Sequence, residues 1–120
     1  MKKIQTIQDV VTFINENHLV FLYVSQENCS VCHALRPKLT ELLKHYPKIK
    51  LREVEADKVK EISAEYLIFS APTFLFFVDG KEYLREGKFV QFKKLANSIE
   101  QVYSFKESQI KCVRVSVIKM

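Results

Sequence analysis

Leu19-Val20-Phe21-Leu22-Tyr23-Val24-Ser25-Gln26-Glu27-Asn28-Cys29-Ser30-Val31-Cys32 passes from a continuous apolar run, through a polar turn, into two cysteines separated by two residues. The run from Leu19 to Ser25 is apolar, β-branched and aromatic. It is too short for a helix and has the composition of a central strand covered on both faces of a sheet. Val31, Leu35, Leu39, Leu42, Leu43 and Tyr46 then recur at helical spacing. A long helix is predicted from about Cys29 to just before Pro47, with both cysteines in its first turn. Unpaired backbone N–H groups and the helix dipole favour negative charge there, so a cysteine ionises more readily than its free pKa of about 8.5. Cys29 is the candidate nucleophile. Cys32, one turn later, is placed to face inward under Cys29 and to attack a mixed disulfide formed on it, as a resolving thiol.

On the N-terminal side, Thr6-Ile7-Gln8-Asp9 reads as a capped helix start, and Ile7, Val10, Val11 and Ile14 carry that helix to about Asn17. On the C-terminal side, Ile49 to Val54 alternates as a strand with one better-buried face, and Lys58 to Leu67 as a short helix. Thr73-Phe74-Leu75-Phe76-Phe77-Val78, Asp79-Gly80 and Lys81-Glu82-Tyr83-Leu84-Arg85 form a hairpin, because Asp-Gly supplies the positive φ angles of a tight turn. After Gly87, the residues Phe89, Phe92, Leu95, Ala96, Ile99 and Val102 give a last amphipathic helix. The order αβαβαββα implies an α/β fold with a mixed sheet and helices on both faces. Residues 1–104 are expected to form the domain and 105–120 a C-terminal extension, in which Ile110 to Ile118 alternates as an edge strand. The segment before Thr6 is too short for a full strand of its own. That leaves an edge position for the tail, on this chain or on a second copy, so the expectation is a monomer or a tail-mediated dimer.

Composition narrows the functional classes. The chain has 120 residues, 48% hydrophobic and 28% charged, enough to bury a core without disulfide or metal support. Glycine occurs only at Gly80 and Gly87, so the clustered glycines of dinucleotide and P-loop sites are missing. The longest apolar stretch, Leu19 to Val24, is far short of the about 20 residues that span a bilayer, so no membrane partner is expected. Met1-Lys2-Lys3 has the charge of a secretory leader, but an amphipathic segment with Asp9 follows and no small-residue cleavage site. A cytoplasmic location is expected. The net charge of +5 is spread among glutamates without a dense basic run, and the aromatic cluster Phe74, Phe76 and Phe77 reads as sheet core. No nucleic-acid partner is expected. Three cysteines, an odd number, do not form a structural disulfide framework and point to redox chemistry or metal binding.

Cys29-Ser30-Val31-Cys32-His33 also matches the c-type haem attachment pattern, but the strand-rich organisation and the absence of a leader oppose that reading. A zinc site would need Cys29, Cys32 and His33 to meet a distant Cys112, His18 or His45, and no second closely spaced ligand pair exists. Neither metal nor cofactor is expected. His33 is placed on the exposed first turn, where partial positive charge would stabilise the Cys29 thiolate. His18 reads as a strand-entry residue, His45 as an exposed helix residue and Cys112 as a small hydrophobe on a strand.

The cysteine pair at a strand-to-helix junction, Pro37 five residues past Cys32, and Ser70-Ala71-Pro72-Thr73 before the hairpin together resemble the thioredoxin family over residues 6–104. That resemblance implies the thioredoxin-like fold and a protein-disulfide oxidoreductase working through Cys29 and Cys32. It further implies a cis proline at Pro72, keeping metal ions from bridging the thiols, and an exposed Ala71 backbone that pairs with an extended client segment. Ser30 and Val31, with Ala71, Pro72 and an apolar rim including Phe69, are the expected client contacts. Disulfide-containing client proteins and a thioredoxin-reductase-like electron donor are the implied partners. The chain departs from the family at Asn28, where a tryptophan is usual, and in lacking the proline between the cysteines. The family's buried aspartate six residues before the first cysteine is matched by Tyr23, and its nearby lysine by Glu53. A tyrosine is a poor base, so water or Glu53 is left to receive the Cys32 proton, and slower resolution is expected. A more oxidising pair acting as oxidase or isomerase, and a thioredoxin-shaped adaptor with little turnover, are the alternatives.

Overall fold

A computed structural model describes residues 1–104 of the chain, which divides into two compact units, Met1–Phe89 and a second beginning at Val90. The first unit contains β1 (Lys3–Ile4), α1 (Ile7–Glu16), β2 (Leu19–Ser25), α2 (Ser30–Leu43), β3 (Lys50–Glu55), α3 (Glu61–Tyr66), β4 (Thr73–Val78) and β5 (Lys81–Glu86). The five strands make one mixed sheet in the order β1-β3-β2-β4-β5. β1, β3 and β2 run parallel, whereas β4 is antiparallel to both β2 and β5.

Every residue of β2 is buried, because β2 lies at the centre of the sheet with helices on both faces. Val20, Leu22 and Val24 point to one face and join Val10 and Ile14 of α1, Ile62 of α3 and Val54, Leu75 and Phe77 of the sheet. Phe21 and Tyr23 point to the opposite face. There Phe21 stacks on Phe76 at 5.8 Å, Tyr23 meets Phe74 at 5.1 Å, and α2 lies against Tyr23. α2 is thus laid along the aromatic side, with its first turn at the C-terminal end of β2. The second unit contains α4 (Phe92–Tyr103), whose Leu95, Ile99 and Val102 are buried along one stripe.

Local chemistry accounts for the helix starts and the hairpin. The Thr6 hydroxyl accepts the Asp9 N–H at 3.1 Å and caps α1. Asp79 and Gly80 both have positive φ, 51° and 82°, the primed turn that matches strand twist. A Cβ on Gly80 would also stand 3.2 Å from Asn15 Oδ1. Gly80→Ala is therefore expected to lower stability by about 1–2 kcal/mol, measurable by urea unfolding.

Two expectations are corrected. β1 does form: the Glu53 N–H donates to Lys2 O at 2.9 Å, and Lys3 and Ile4 pair with Glu53 and Val54. Two residues suffice because an edge strand needs only the outward backbone groups of its neighbour, so the edge beside β3 is taken by the N-terminus. Phe89 is not part of the last helix. α4 starts at Phe92 after an extended Gln91 cap, and Phe89 is 86% exposed. Its three-residue spacing to Phe92 imitates a helical face, but spacing alone does not locate the cap. α3 is also shorter than its apolar pattern, ending at Tyr66 with Leu67 left-handed at φ 54°. The expected tail strand and Cys112 lie outside the described residues.

Candidate active site

β2 ends at Ser25, and the turn that follows delivers Cys29 to the N-cap of α2. Its sulfur accepts the Cys32 N–H at 3.1 Å, so one orphan donor of the helix start is aimed at Cys29 Sγ. A thiolate at that atom meets a backbone dipole. Cys29 and Cys32 form a disulfide, with Cα atoms 5.2 Å apart. Cys29 keeps partial access to solvent while Cys32 is fully buried. Incoming groups therefore reach Cys29 first. Pro37 lies inside α2 and removes the N–H that would close the helix onto the carbonyl of His33, one turn from the pair.

Ala71 approaches from the loop before β4, and its carbonyl oxygen stands 4.0 Å from Cys29 Sγ. The Ala71–Pro72 peptide is cis. Ala71 is half-buried and Pro72 buried, while Ser30 and Val31 are exposed. Phe69, 85% exposed, and Leu67 lie just upstream in the same loop.

A polar cluster lies along α2 and the neighbouring strands. The Tyr23 hydroxyl donates to Cys32 O at 2.6 Å. Burial pushes its phenol up to about 12, the charge of Arg36 opposing this and that of Glu53 adding to it. Tyr23 is thus a neutral donor at physiological pH, not a base. Glu53, its partner in register on β3, is 1% exposed. Both carboxylate oxygens are engaged: Arg36 Nε donates to Oε1 at 2.9 Å, Arg36 Nη2 to Oε2 at 2.6 Å, and the Ser25 hydroxyl also to Oε2. Burial alone would raise the Glu53 carboxyl; the hydrogen bonds from Arg36 and Ser25 and the charges of Arg36 and Lys3 outweigh it and hold the group below its usual value.

His33 stands on the exposed first turn of α2. Arg36 Nη1 lies 3.0 Å from His33 Nδ1, and His33 Nε2 lies 3.2 Å from Glu27 O. His33 is thus held between the Arg36 guanidinium and the Glu27 carbonyl. Arg36, its guanidinium 5.9 Å from the Tyr23 ring centroid, carries the positive charge of the cluster. Among the described residues no three His, Cys, Asp or Glu side chains are grouped to hold a metal, and no helix is long and apolar enough to cross a membrane.

The thioredoxin family model matches residues 3–101, a span that includes the cysteine pair and the cis proline. The chain belongs to the thioredoxin family. It is 36% identical over 109 residues to the thioredoxin-like protein YdfQ of Bacillus subtilis, covering 91% of this chain and 97% of that protein. Its fold is similar to thioredoxin from Fasciola hepatica, with a TM-score of 0.74, 30% identity, and coverage of 84% and 98% of the two chains. Plasmodium falciparum thioredoxin gives a TM-score of 0.74 at 25% identity, covering 81% and 97%. With the Cys29–Cys32 pair bonded at the start of α2, this family member is a thiol–disulfide oxidoreductase.

Arg36 and Ser25 escaped the sequence reading. Cys32, Arg36, Leu39 and Leu43 follow at i, i+4, i+7 and i+11 on the buried stripe of α2, so a charged residue on that stripe signalled a buried partner. Glu53, buried on the neighbouring strand β3, was that partner. In this family member Tyr23→Phe is expected to cost about 1 kcal/mol in urea unfolding, since one buried hydrogen bond is lost while the ring packing on Phe74 is kept.

Proposed function

We propose that this protein reduces disulfides of client proteins. The Cys29 thiolate attacks one sulfur of a client disulfide, and the other client sulfur leaves with the bonding electron pair. Cys32 then attacks Cys29 Sγ, releasing the second client sulfur and leaving the Cys29–Cys32 disulfide. Two electrons pass to the client, and a thioredoxin-reductase-like donor restores the two thiols. The observation that carries this reading is the asymmetry of the pair: Cys29 is solvent-accessible at a helix N-cap with the Cys32 N–H at 3.1 Å, and Cys32 is buried behind it.

Residues 1–104 form the working domain in this reading. The client lies extended along the Ala71–Pro72 loop, its backbone facing Ala71 and its side chains meeting Ser30, Val31 and the exposed Phe69. Tyr23, His33 and Glu53 modulate the pair through hydrogen bonds. The location is cytoplasmic, where thiol donors are present. Insulin reduction with a chemical thiol as donor tests the reading. Catalytic amounts of the protein should accelerate insulin chain separation well above the thiol alone, and a rate equal to the thiol alone would identify an adaptor instead.

A further inference from the structure

The charged cluster against α2 forms a closed set. Glu53 on β3 is faced by Arg36 from α2, by Ser25 and Tyr23 from β2 and by Lys3 from β1. Arg36 is faced in turn by Glu53, Tyr23, His33 and, at longer range, Glu55. Arg36 lies one helical turn beyond Cys32 on the same stripe, and its fork occupies both oxygens of Glu53. Arg36 Nη1 stands against His33 Nδ1, and the Tyr23 hydroxyl donates a hydrogen bond to Cys32 O. Within the cluster, Glu53 and His33 are thus both held by Arg36, and Tyr23 is a neutral phenol.

We propose that Arg36 is a positioning residue for the resolving step: it holds the Glu53 carboxylate in a closed pair with Ser25, so that the proton of Cys32 leaves to water rather than to a side chain. This rests on the exchange reading above. When Cys32 attacks Cys29 Sγ, the bond from Cys29 to the client sulfur breaks, the electron pair leaves with that sulfur, and the Cys32 proton passes to solvent water. The rate of resolution then follows the ionisation of Cys32 alone. Without Arg36, Glu53 is a buried carboxyl that has lost its counter-ion and keeps only the Ser25 hydroxyl and the charge of Lys3, which leaves Oε1 open to accept the proton and brings a second titration into the rate.

The test is stopped-flow reaction of the reduced protein with an aromatic disulfide that releases a coloured thiol. The first equivalent reports attack by Cys29 and the second reports resolution by Cys32. Wild type should show one inflection in the pH profile of the second release. Arg36→Met should add a further inflection between about pH 6 and 9. Adding Glu53→Gln to Arg36→Met should remove it and return the profile to within about threefold of wild type, where loss of a working general base would cost about a hundredfold. A wild-type inflection that disappears in the double variant, or an Arg36→Met profile identical to wild type, would overturn the proposal. If Arg36→Met does not fold, carbon NMR of the Glu53 carboxyl in the wild type decides: no titration is expected between about pH 5.5 and 9, and a titration there contradicts the closed pair. Release of one equivalent only by wild type would count against the exchange reading, while the NMR measurement would still report on the pair.

Discussion

Cys29→Ser is expected to lower disulfide turnover by at least about a thousandfold, because removing a nucleophile removes the covalent path itself and leaves only binding. Cys32→Ser should behave differently. Its Cys29 still attacks, but nothing behind it cleaves the bond, so mixed disulfides with client proteins accumulate and appear by mass as adducts on Cys29. The difference follows from the geometry: Cys29 Sγ receives the Cys32 N–H at 3.1 Å at a partly accessible helix start, and Cys32 has no surface of its own. Serine at 32 retains that backbone N–H, so the Cys29 thiolate keeps its hydrogen bond. Full turnover by Cys29→Ser, or adducts on Cys32 in place of Cys29, would reverse the assigned roles.

Arg36→Met is expected to destabilise the protein by about 3–5 kcal/mol at pH 7, since it leaves a buried carboxylate without its counter-ion. The double substitution Arg36→Met with Glu53→Gln should recover most of that loss, because the cost comes from the unpaired charge rather than from the missing attraction. The pH dependence separates the two cases by sign. In the wild type the folded Glu53 carboxyl is held below the unfolded value of about 4.3. Its contribution to stability is complete above that value and is lost as pH falls through the folded pKa, so acid weakens the fold. In Arg36→Met burial is opposed only by the Ser25 hydrogen bond and the charge of Lys3, so the folded carboxyl is expected to rise above the unfolded value and stability to fall as pH climbs from about 4.3 toward neutrality. Urea unfolding across about pH 2.5 to 7 should thus show the wild type losing stability only below about pH 4.3, and the single variant losing it as pH rises from about 4.3 to 7. Parallel slopes would mean that Arg36 does not control the ionisation of Glu53.

The legible parts of this molecule are those whose physics is local in sequence. An unbroken apolar run identifies β2, a two-residue spacing places both cysteines on one helical turn, and Asp79-Gly80 announces its turn through backbone angles few other pairs adopt. Ser70-Ala71-Pro72-Thr73 was informative only together with the cysteine pair, through resemblance to a family. β1 and the start of α4 were missed because each depends on a non-local or weak signal, a two-residue edge pairing in one case and a Gln91 cap without a side-chain bond in the other. The Arg36–Glu53 pair joins residues 17 apart on different elements, and no periodicity connects them. His33 illustrates the same limit, since its contacts with Arg36 and the Glu27 carbonyl are not announced by its place on a helix start.

The midpoint potential of the Cys29–Cys32 pair sets the direction of electron flow. The protein is equilibrated in graded thiol–disulfide buffers, free thiols are alkylated, and labels are counted by mass. A value near about −270 mV is predicted, a pair that a thioredoxin-reductase-like donor can keep reduced and that passes electrons to clients. A value of about −180 mV or higher would contradict the reductase reading and assign the pair to forming or rearranging client disulfides.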